Sequence, residues 1–197
     1  MDTLALGRRW QVRARVPGNQ DASPRERDEI SAYLGWIRGD ALGATLADLA
    51  DMPADSPLDE RAWRYLADHR VAHLATTDAD GRPSVVPICY ASDGRAIYSA
   101  LDQKPKRVAP AALKRVRNLL AHPEVALLVD DYAEDWSQLA YLLVRGHAAL
   151  LEPGTPDHAA AVALLRAKYA QYRAMPIEAQ PIICIRPTRG YLWKGSP

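Results

Sequence analysis

The 197-residue sequence contains no phenylalanine and only two cysteines. Its large rings must therefore come from five tryptophans and nine tyrosines. Cys89 and Cys184 lie far apart, each within an apolar run, and neither belongs to a CxxC pair or to a Cys/His ligand spacing. Because unpaired cysteine is usually a small buried residue, we expect both in the core and propose no metal site.

An excess of charge of one sign is also missing. The 25 basic and 24 acidic residues leave a net charge of +1, so overall charge does not indicate nucleic-acid binding, and an anion site must come from local clustering. No apolar run approaches the ~20 residues that cross a bilayer, and the basic amino terminus lacks the apolar stretch of a secretory signal. The sequence therefore predicts a cytoplasmic protein with no membrane partner.

Residues 1–55 differ in character from the rest of the chain. Prolines and glycines among charged residues predict a loop in the first half, and short helical patterns follow over 29–38 and 41–51. This region carries no chemical motif. We interpret residues 1–55 as an N-terminal helical extension of unknown role, and residues 56–197 as the main domain.

The main domain alternates between helical and strand patterns. Ser56-Pro57 predicts a helix start, with serine as the N-cap and proline at the first helical position. The Asp-Gly pair in 78–81 predicts a hairpin turn, and Pro83 and Pro87 predict an edge or irregular strand. The predicted helices cover 56–70, 110–121 and 156–173, and the predicted strands cover 71–77, 82–91, 96–101, 124–130, 139–151, 181–185 and 191–193. Because hairpins dominate, we expect an antiparallel α+β fold.

Periodicity also predicts which faces of these elements are apolar. On the first helix the buried face consists of Leu58, Ala62, Tyr65 and Leu66. The third helix, capped by Thr155, is predicted to be amphipathic, with one face formed by Ala160, Leu164, Ala167 and Lys168. The strand over 139–151 alternates apolar with polar residues: Leu142, Val144 and Leu150 lie on one face, and Arg145 and His147 on the other. We predict that the apolar face is available to a partner subunit.

Positive charge is concentrated after the strand over 96–101, where the chain reads Lys104-Pro105-Lys106-Arg107. From residue 104 to residue 117 there are six basic residues and no acidic one, which favours a local anion site. Ser99 could add a hydroxyl donor, and the following helix could add backbone N–H groups. Nucleic-acid binding is disfavoured because no aromatic residues are interleaved. Composition alone leaves a phosphate site and a solvated basic surface both open.

Several short motifs follow one another in order along this domain. They are Ala75-Thr76-Thr77, Asp80-Gly81-Arg82-Pro83, Val86-Pro87, Ile97-Tyr98-Ser99, Lys104-Pro105-Lys106-Arg107, Arg117-Asn118-Leu119 and Pro123-Glu124-Val125-Ala126-Leu127-Leu128-Val129. The set resembles the pyridoxamine 5′-phosphate oxidase-like, FMN-binding split β-barrels. With Asp130-Asp131-Tyr132 and Glu134-Asp135-Trp136, it is similar more narrowly to the subgroup of coenzyme F420 (deazaflavin)-dependent oxidoreductases. The resemblance covers about residues 56–197.

This resemblance implies an antiparallel split barrel with flanking helices that forms a homodimer, with each of two cofactors in a cleft between subunits. Matched position by position, Lys104, Lys106 and Arg107 fall where the family binds the cofactor phosphate. Ser99 lies on the neighbouring strand at this site. Asn118 lies on the helix behind the phosphate-binding loop.

The resemblance also implies residues near the flavin ring. Val86, Pro87 and Ile88 fall on the strand that passes the ring, mostly through backbone groups. Trp193 occupies a position where relatives often place an aromatic residue close to the ring, although a core or dimer-interface tryptophan explains it equally well. We assign no catalytic acid or base, because the sequence singles out none.

The expected activity is that of an oxidoreductase in which reduced F420 transfers hydride to an unidentified small molecule. FMN in the same fold, or a non-catalytic cofactor-binding protein, are the alternatives. Lys114, Arg115 and Arg117 could attract the acidic tail of F420, which favours the deazaflavin over FMN. True pyridoxamine phosphate oxidases hold their substrate phosphate with a basic carboxyl-terminal segment. The sequence from Tyr191 to Pro197 lacks that segment, so vitamin B6 oxidation is not expected.

Overall fold

The computed structural model describes residues 57–101 and 113–196. All of these residues belong to one unit of the chain, Thr45–Pro197. The predicted extension, residues 1–55, and the basic residues Lys104, Lys106 and Arg107 lie outside the described residues. Within the described ranges, no helix combines the length and the apolar character needed to cross a membrane.

Three helices and seven strands form within the described part of the chain. The helices are α1 (Glu60–Asp68), α2 (Lys114–Ala121) and α3 (Pro156–Lys168). The strands are β1 (Val71–Thr77), β2 (Pro83–Cys89), β3 (Ala91–Ser92), β4 (Ile97–Ala100), β5 (Glu124–Asp131), β6 (Ala140–Leu151) and β7 (Ile182–Lys194). Short 3-10 turns occupy Trp136–Gln138, Ala170–Arg173 and Ile177–Ala179.

The strands form one antiparallel sheet in the order β2-β1-β5-β6-β7-β4-β3. Its two edge strands, β2 and β3, are consecutive in the chain, and only Tyr90 separates them. Neighbouring strands lie ~4.8 Å apart, so one residue cannot span a flat sheet of this width. The sheet therefore curls into a half-barrel with a split between β2 and β4, which confirms the predicted α+β split barrel.

Two apolar clusters hold the helices on the sheet. The larger lies under α1 and α2 and includes Leu66, Leu74 and Leu127, all fully buried. The smaller lies under α3, where Leu165 packs with Ile182 at the start of β7. As predicted, Leu58, Ala62, Tyr65 and Leu66 are buried. Because α1 and α2 cover the inner face of the sheet, the outer face remains for other contacts.

The predicted N-cap of the first helix at Ser56 is wrong. Helix α1 begins at Glu60, and its cap is Asp59, whose side chain accepts a hydrogen bond of 2.8 Å from the backbone N–H of Ala62. Asp59 has the extended backbone of a capping residue, and a carboxylate at this position satisfies an N–H that the helix leaves unpaired. Pro57 therefore lies in a bend, and helix α1 begins three residues after it.

The predicted face of the third helix is also wrong. Thr155 caps α3, accepting from the His158 N–H at 3.3 Å, as expected. However, the buried residues are His158, Ala161, Val162 and Leu165. Alanine and leucine occur on every side of this helix, so apolar spacing does not distinguish the buried face. The helix ends at Lys168, and a separate 3-10 turn follows it.

The two predicted strands over 181–185 and 191–193 are one continuous strand, β7. It pairs with β6 along its whole length, with a register shift where Arg145 and Gly146 lie opposite Arg189 and Pro187. Thr188 is the extra residue of this bulge, and a bulge accommodates a proline that cannot donate to the ladder. Local composition predicted a break because Pro187 and Gly190 are both turn-type residues.

The predicted partner surface on β6 is wrong. Leu142 and Val144 lie in the core of this same chain, at 0% and 1% exposure. Leu150 packs against that core and is partly buried. The alternation of 139–151 therefore marks the inner face of the sheet, and the opposite residues of β6, among them Leu143, lie on the outer face.

Candidate functional site

Strand β2 forms one wall of the split. The direction in which its backbone N–H and carbonyl groups point can be assigned. At its end, the carbonyl of Cys89 accepts a hydrogen bond of 2.9 Å from Ser99 Oγ on β4, across the split. In an antiparallel pair alternate residues direct their backbone groups to the same side. The odd-numbered residues of β2 therefore point into the split, which includes the N–H and carbonyl of Val85 and the carbonyl of Pro87.

This alternation distinguishes the three residues of β2 that were predicted to contact the cofactor through their backbone. Pro87 presents its carbonyl to the split, whereas the backbone groups of Val86 and Ile88 point toward β1. Val85, which was not among the predicted residues, presents both a donor and an acceptor. The spacing of Pro83 and Pro87 could have revealed it, since a proline in an edge strand belongs where no ladder N–H is needed.

The wall of the split is apolar on its solvent side. The side chain of Val85 is 60% exposed, and Pro87 is exposed. Val86 is partly buried against the core, and Ile88 is buried. An edge strand with exposed apolar side chains and outward backbone groups suits a flat ring with polar atoms along its rim.

Strand register locates the start of the basic segment. Ala91 pairs with Tyr98 on β4, and continuing this register places Leu101 beside Ile88. Both residues are buried in the same apolar cluster. Leu101, the last described residue before the segment that carries Lys104, Lys106 and Arg107, therefore lies beside Ile88.

The end of the basic segment also lies near β2. Lys114, at the start of α2, places its Nζ 3.7 Å from Oδ2 of Asp78 in the β1–β2 turn. The pKa of Asp78 is lowered, chiefly by the backbone hydrogen bond from Arg82. Lys114 therefore faces the open end of the split, where Asp78 balances part of its charge.

Ser99 and Asn118 make structural contacts in the described fold. Ser99 is buried, and its hydroxyl proton is used by the Cys89 carbonyl. Asn118 is buried on α2 and donates from Nδ2 to Thr76 Oγ1 at 2.9 Å. Ser99 thus closes one end of the split, and Asn118 fixes α2 on β1. In this arrangement Ser99 has no proton left to donate to a phosphate.

The structure does not bring Trp193 to the split within one chain. Ser99 pairs with Ile183 on β7, and the ten residues from there to Trp193 span about 30 Å of strand. The Trp193 ring stacks on Tyr141, with centroids 5.5 Å apart and an interplanar angle of 26°. Trp193 therefore lies on the outer face of the sheet, and only a second subunit could bring it to a split.

Comparison with known sequences agrees with the fold. The sequence pattern of the family described as pyridoxamine 5′-phosphate oxidase matches residues 58–194, about 70% of the chain. No curated protein matches the sequence.

Three solved structures illustrate the structural similarity. A heme-binding protein from Mycobacterium smegmatis has a TM-score of 0.57 at 20% identity, over 73% of this chain and 56% of its own. The heme storage protein HutZ from Vibrio cholerae has a TM-score of 0.54 at 15% identity, over 70% and 94%. An F420 reductase has a TM-score of 0.50 at 26% identity, over 68% and 98%. The first two, at this level of identity, share the fold alone.

Proposed function

Because the chain belongs to the pyridoxamine 5′-phosphate oxidase family, we propose that it is an oxidoreductase that uses reduced coenzyme F420 to transfer hydride to a small-molecule acceptor. The similarity to an F420 reductase over 98% of that protein supports the cofactor class. When bound, the deazaflavin would supply the hydride. The protein would bind and orient the cofactor and exclude water.

One observation carries this proposal: both ends of the basic segment flank the edge strand β2. The segment starts after Leu101, beside Ile88, and ends at Lys114, near Asp78 at the other end of β2. Between these points the sequence provides one acid, Asp102, and then, from residue 104 to residue 113, three cations and no acid. A cofactor with a flat ring and a phosphate needs an apolar wall and a positive segment side by side. The proposal is that β2 supplies the wall and the basic segment the positive charge.

Each part of the cofactor then has candidate partners. Val85 and Pro87 would contact the rim of the ring through their outward backbone groups. Lys104, Lys106 and Arg107 would bind the phosphate by charge-assisted hydrogen bonds, which are roughly twice as strong as neutral ones. These five residues lie within a stretch of 23 positions, from 85 to 107.

The proposal includes a homodimer with the cofactor between subunits. The outer face of the sheet carries a row of register partners, His73, Leu128, Leu143 and Tyr191. Val71, on the same face, is 50% exposed. This apolar face is suited to a second copy, which would bring its Trp193 toward the split of the first.

Removal of the two lysines tests the phosphate site. Lys104→Ala combined with Lys106→Ala should weaken F420 binding at least a hundredfold, since two charge-assisted bonds of about 1.5–3 kcal/mol each sum to about 3 kcal/mol or more. The matched control is Arg61→Ala with Arg64→Ala on α1, which removes the same charge elsewhere. Affinity would be measured by quenching of tryptophan fluorescence. An equal effect of the two double variants would contradict the assigned phosphate site.

The same titration separates the cofactor classes. Tighter binding of F420 than of FMN supports the proposal, whereas a yellow protein that retains FMN through purification supports the flavin alternative. Binding without consumption of reduced cofactor across a broad panel of acceptors would indicate a non-catalytic binding protein. Failure of both cofactors to bind would overturn the assignment and leave only the family fold.

A further inference from the structure

Two side chains at the end of α1, Tyr65 and His69, meet one at the end of β5, Asp131, which is more than 60 positions away. His69 Nε2 lies 2.9 Å from Oδ1 of Asp131, and His69 Nδ1 lies 2.6 Å from the backbone carbonyl oxygen of Tyr65. The Tyr65 hydroxyl donates to the other carboxylate oxygen of Asp131 at 2.7 Å. The side chain of His69 is 21% exposed. These contacts form a closed ring of hydrogen bonds between the helix and the strand.

Both ring nitrogens of His69 face acceptors. A backbone carbonyl cannot donate, so Nδ1 carries a proton. Asp131 is ionised as well: burial would raise its pKa, but hydrogen bonds from His69 and Tyr65 and the nearby charge of Lys194 outweigh burial and lower it. Because a carboxylate cannot donate either, Nε2 also carries a proton.

We propose that His69 is a doubly protonated imidazolium that latches the end of α1 to the end of β5, and that loss of one ring proton opens this latch. With one proton gone, a nitrogen lone pair would face an acceptor at hydrogen-bond distance. The ring must then turn away from Asp131 or from the Tyr65 carbonyl. The latch is a pH-sensitive joint separate from the proposed cofactor site.

The groups around His69 set the range in which the latch closes. Helix α1 contributes Tyr65, β5 contributes Asp130 and Asp131, and β7 contributes Lys194, whose Nζ lies 5.9 Å from the Tyr65 ring. The burial of Tyr65 and its bond to Asp131 raise the pKa of its hydroxyl, so this donor keeps its proton. At low pH the latch ends when Asp131 is protonated, and at high pH when His69 loses a proton.

The latch controls the turn that joins β5 to β6. Asp131 is the last residue of β5, and the Tyr65 hydroxyl also lies 3.3 Å from the carbonyl of Ala140, the first residue of β6. Both ends of the turn are therefore fixed at Tyr65. The turn carries Tyr132 and Trp136, each 74% exposed. Opening the latch leaves the Asp131 carboxylate held by Tyr65 alone, so the turn is fixed less firmly.

The chain provides a matched control on the opposite face of β5. His73 and Asp130 have the same residue types, and Asp130 is the neighbour of Asp131. Their closest approach is 3.7 Å, and their side chains are 47% and 49% exposed. This distance is too long for a hydrogen bond, so the His73 ring is not fixed between two acceptors.

The protonation of His69 can be observed directly by NMR of the full chain labelled with ¹⁵N-histidine. An ordinary imidazole titrates near pH ~6.5. In the folded protein at neutral pH we expect two protonated ring nitrogens for His69, because each faces an acceptor. A single protonated nitrogen at His69 in the folded protein would overturn the proposal. This measurement needs no variant.

Hydrogen exchange tests the consequence for the turn. The amides of Gln138 and Leu139 donate within it, and their protection should fall about tenfold when His69 loses a ring proton at high pH. His69→Gln should remove this pH dependence, and His73→Gln should retain it. Asp131→Asn provides a second variant that should open the turn at all pH values. The same pH dependence in His69→Gln and in the wild type would also overturn the proposal.

Discussion

At the scale of single residues, two glycines allow close contacts that no side chain would permit. A Cβ on Gly146 would overlap the backbone carbonyl oxygen of Arg186 on β7. A Cβ on Gly190 would overlap the end of the Leu58 side chain, which packs there from the segment before α1. The first obstacle is backbone in a paired strand, whereas the second is a side chain that can rotate. The two sites therefore differ in how far they can adapt.

We predict a difference in stability between the two alanine variants. Gly146→Ala should lower the free energy of unfolding by about 3 kcal/mol, near the upper end for overpacking, and Gly190→Ala by about 1 kcal/mol. Urea denaturation of both variants measures the difference. Equal losses of unfolding free energy would contradict this prediction, because they would mean that the strand backbone at the bulge shifts as easily as the Leu58 side chain rotates.

Lys168 leads to a prediction about alkaline pH. Its Nζ donates to the Leu66 carbonyl and lies 4.2 Å from the centre of the Tyr90 ring. Burial, followed by the charge of Arg70, lowers the pKa of Lys168 to about 8. Between that value and the 10.5 of an unperturbed lysine, the unfolded chain binds more protons than the folded chain. The contribution of this group to stability therefore rises with pH.

Comparison of the wild type with Lys168→Gln isolates the contribution of Lys168 to the pH dependence of stability. The free energy of unfolding of the wild type, relative to the variant, should increase from about pH 7 to about pH 10. Other titrating groups are common to both proteins, so their contributions cancel. A difference that falls over this range would contradict the lowered pKa.

At the scale of secondary-structure elements, the cap of α1 can be tested alone. Asp59→Ala removes the acceptor for the Ala62 N–H and should cost about 1 kcal/mol of stability. Asp59→Asn keeps a capping oxygen and should cost only a few tenths of that amount. Thermal unfolding followed by circular dichroism measures both variants. A loss as large for asparagine as for alanine would indicate that charge, rather than the hydrogen bond, matters here.

Elements with local signals were predictable from the sequence. The bounds of β1 match the prediction because an Asp-Gly turn follows the strand, and the edge position of β2 follows from its prolines. The second helix ends before Pro123, as the residue preceding proline requires. Long-range pairing was not predictable. The continuity of β7 depends on its ladder with β6, and the buried face of α3 depends on the sheet beneath it.

The candidate site was predictable to a similar extent. The strand that forms the wall of the split was identified, but Val85 was missed, although the spacing of Pro83 and Pro87 indicates on which side the strand lacks a ladder partner. The contact of Ser99 with Cys89 depends on closure of the barrel. The ring of His69, Tyr65 and Asp131 joins residues more than 60 positions apart, and no sequence spacing signals it. Lys104, Lys106 and Arg107 remain predictions.

At the scale of the whole molecule, the proposed homodimer has a direct test. Leu143→Glu places a charge in the middle of the outer face and should convert a dimer of 21.7 kDa chains into monomers. Leu120→Glu on α2, where Leu120 is 72% exposed, is the control and should leave the dimer intact. Light scattering at micromolar concentration distinguishes the outcomes. A wild-type protein that is monomeric would contradict the inter-subunit site.

The single residue between the two edge strands limits how the split can widen. Tyr90 is fully buried, and its hydroxyl donates to the Leu66 carbonyl at 2.8 Å. At this end the gap between β2 and β4 cannot exceed the reach of a short chain crossing, about 3.5 Å per residue. At the opposite end, at the β1–β2 turn, the described residues form no such strap. A molecule that entered between the described walls would therefore spread them as a wedge, with its bulkiest part at the turn end.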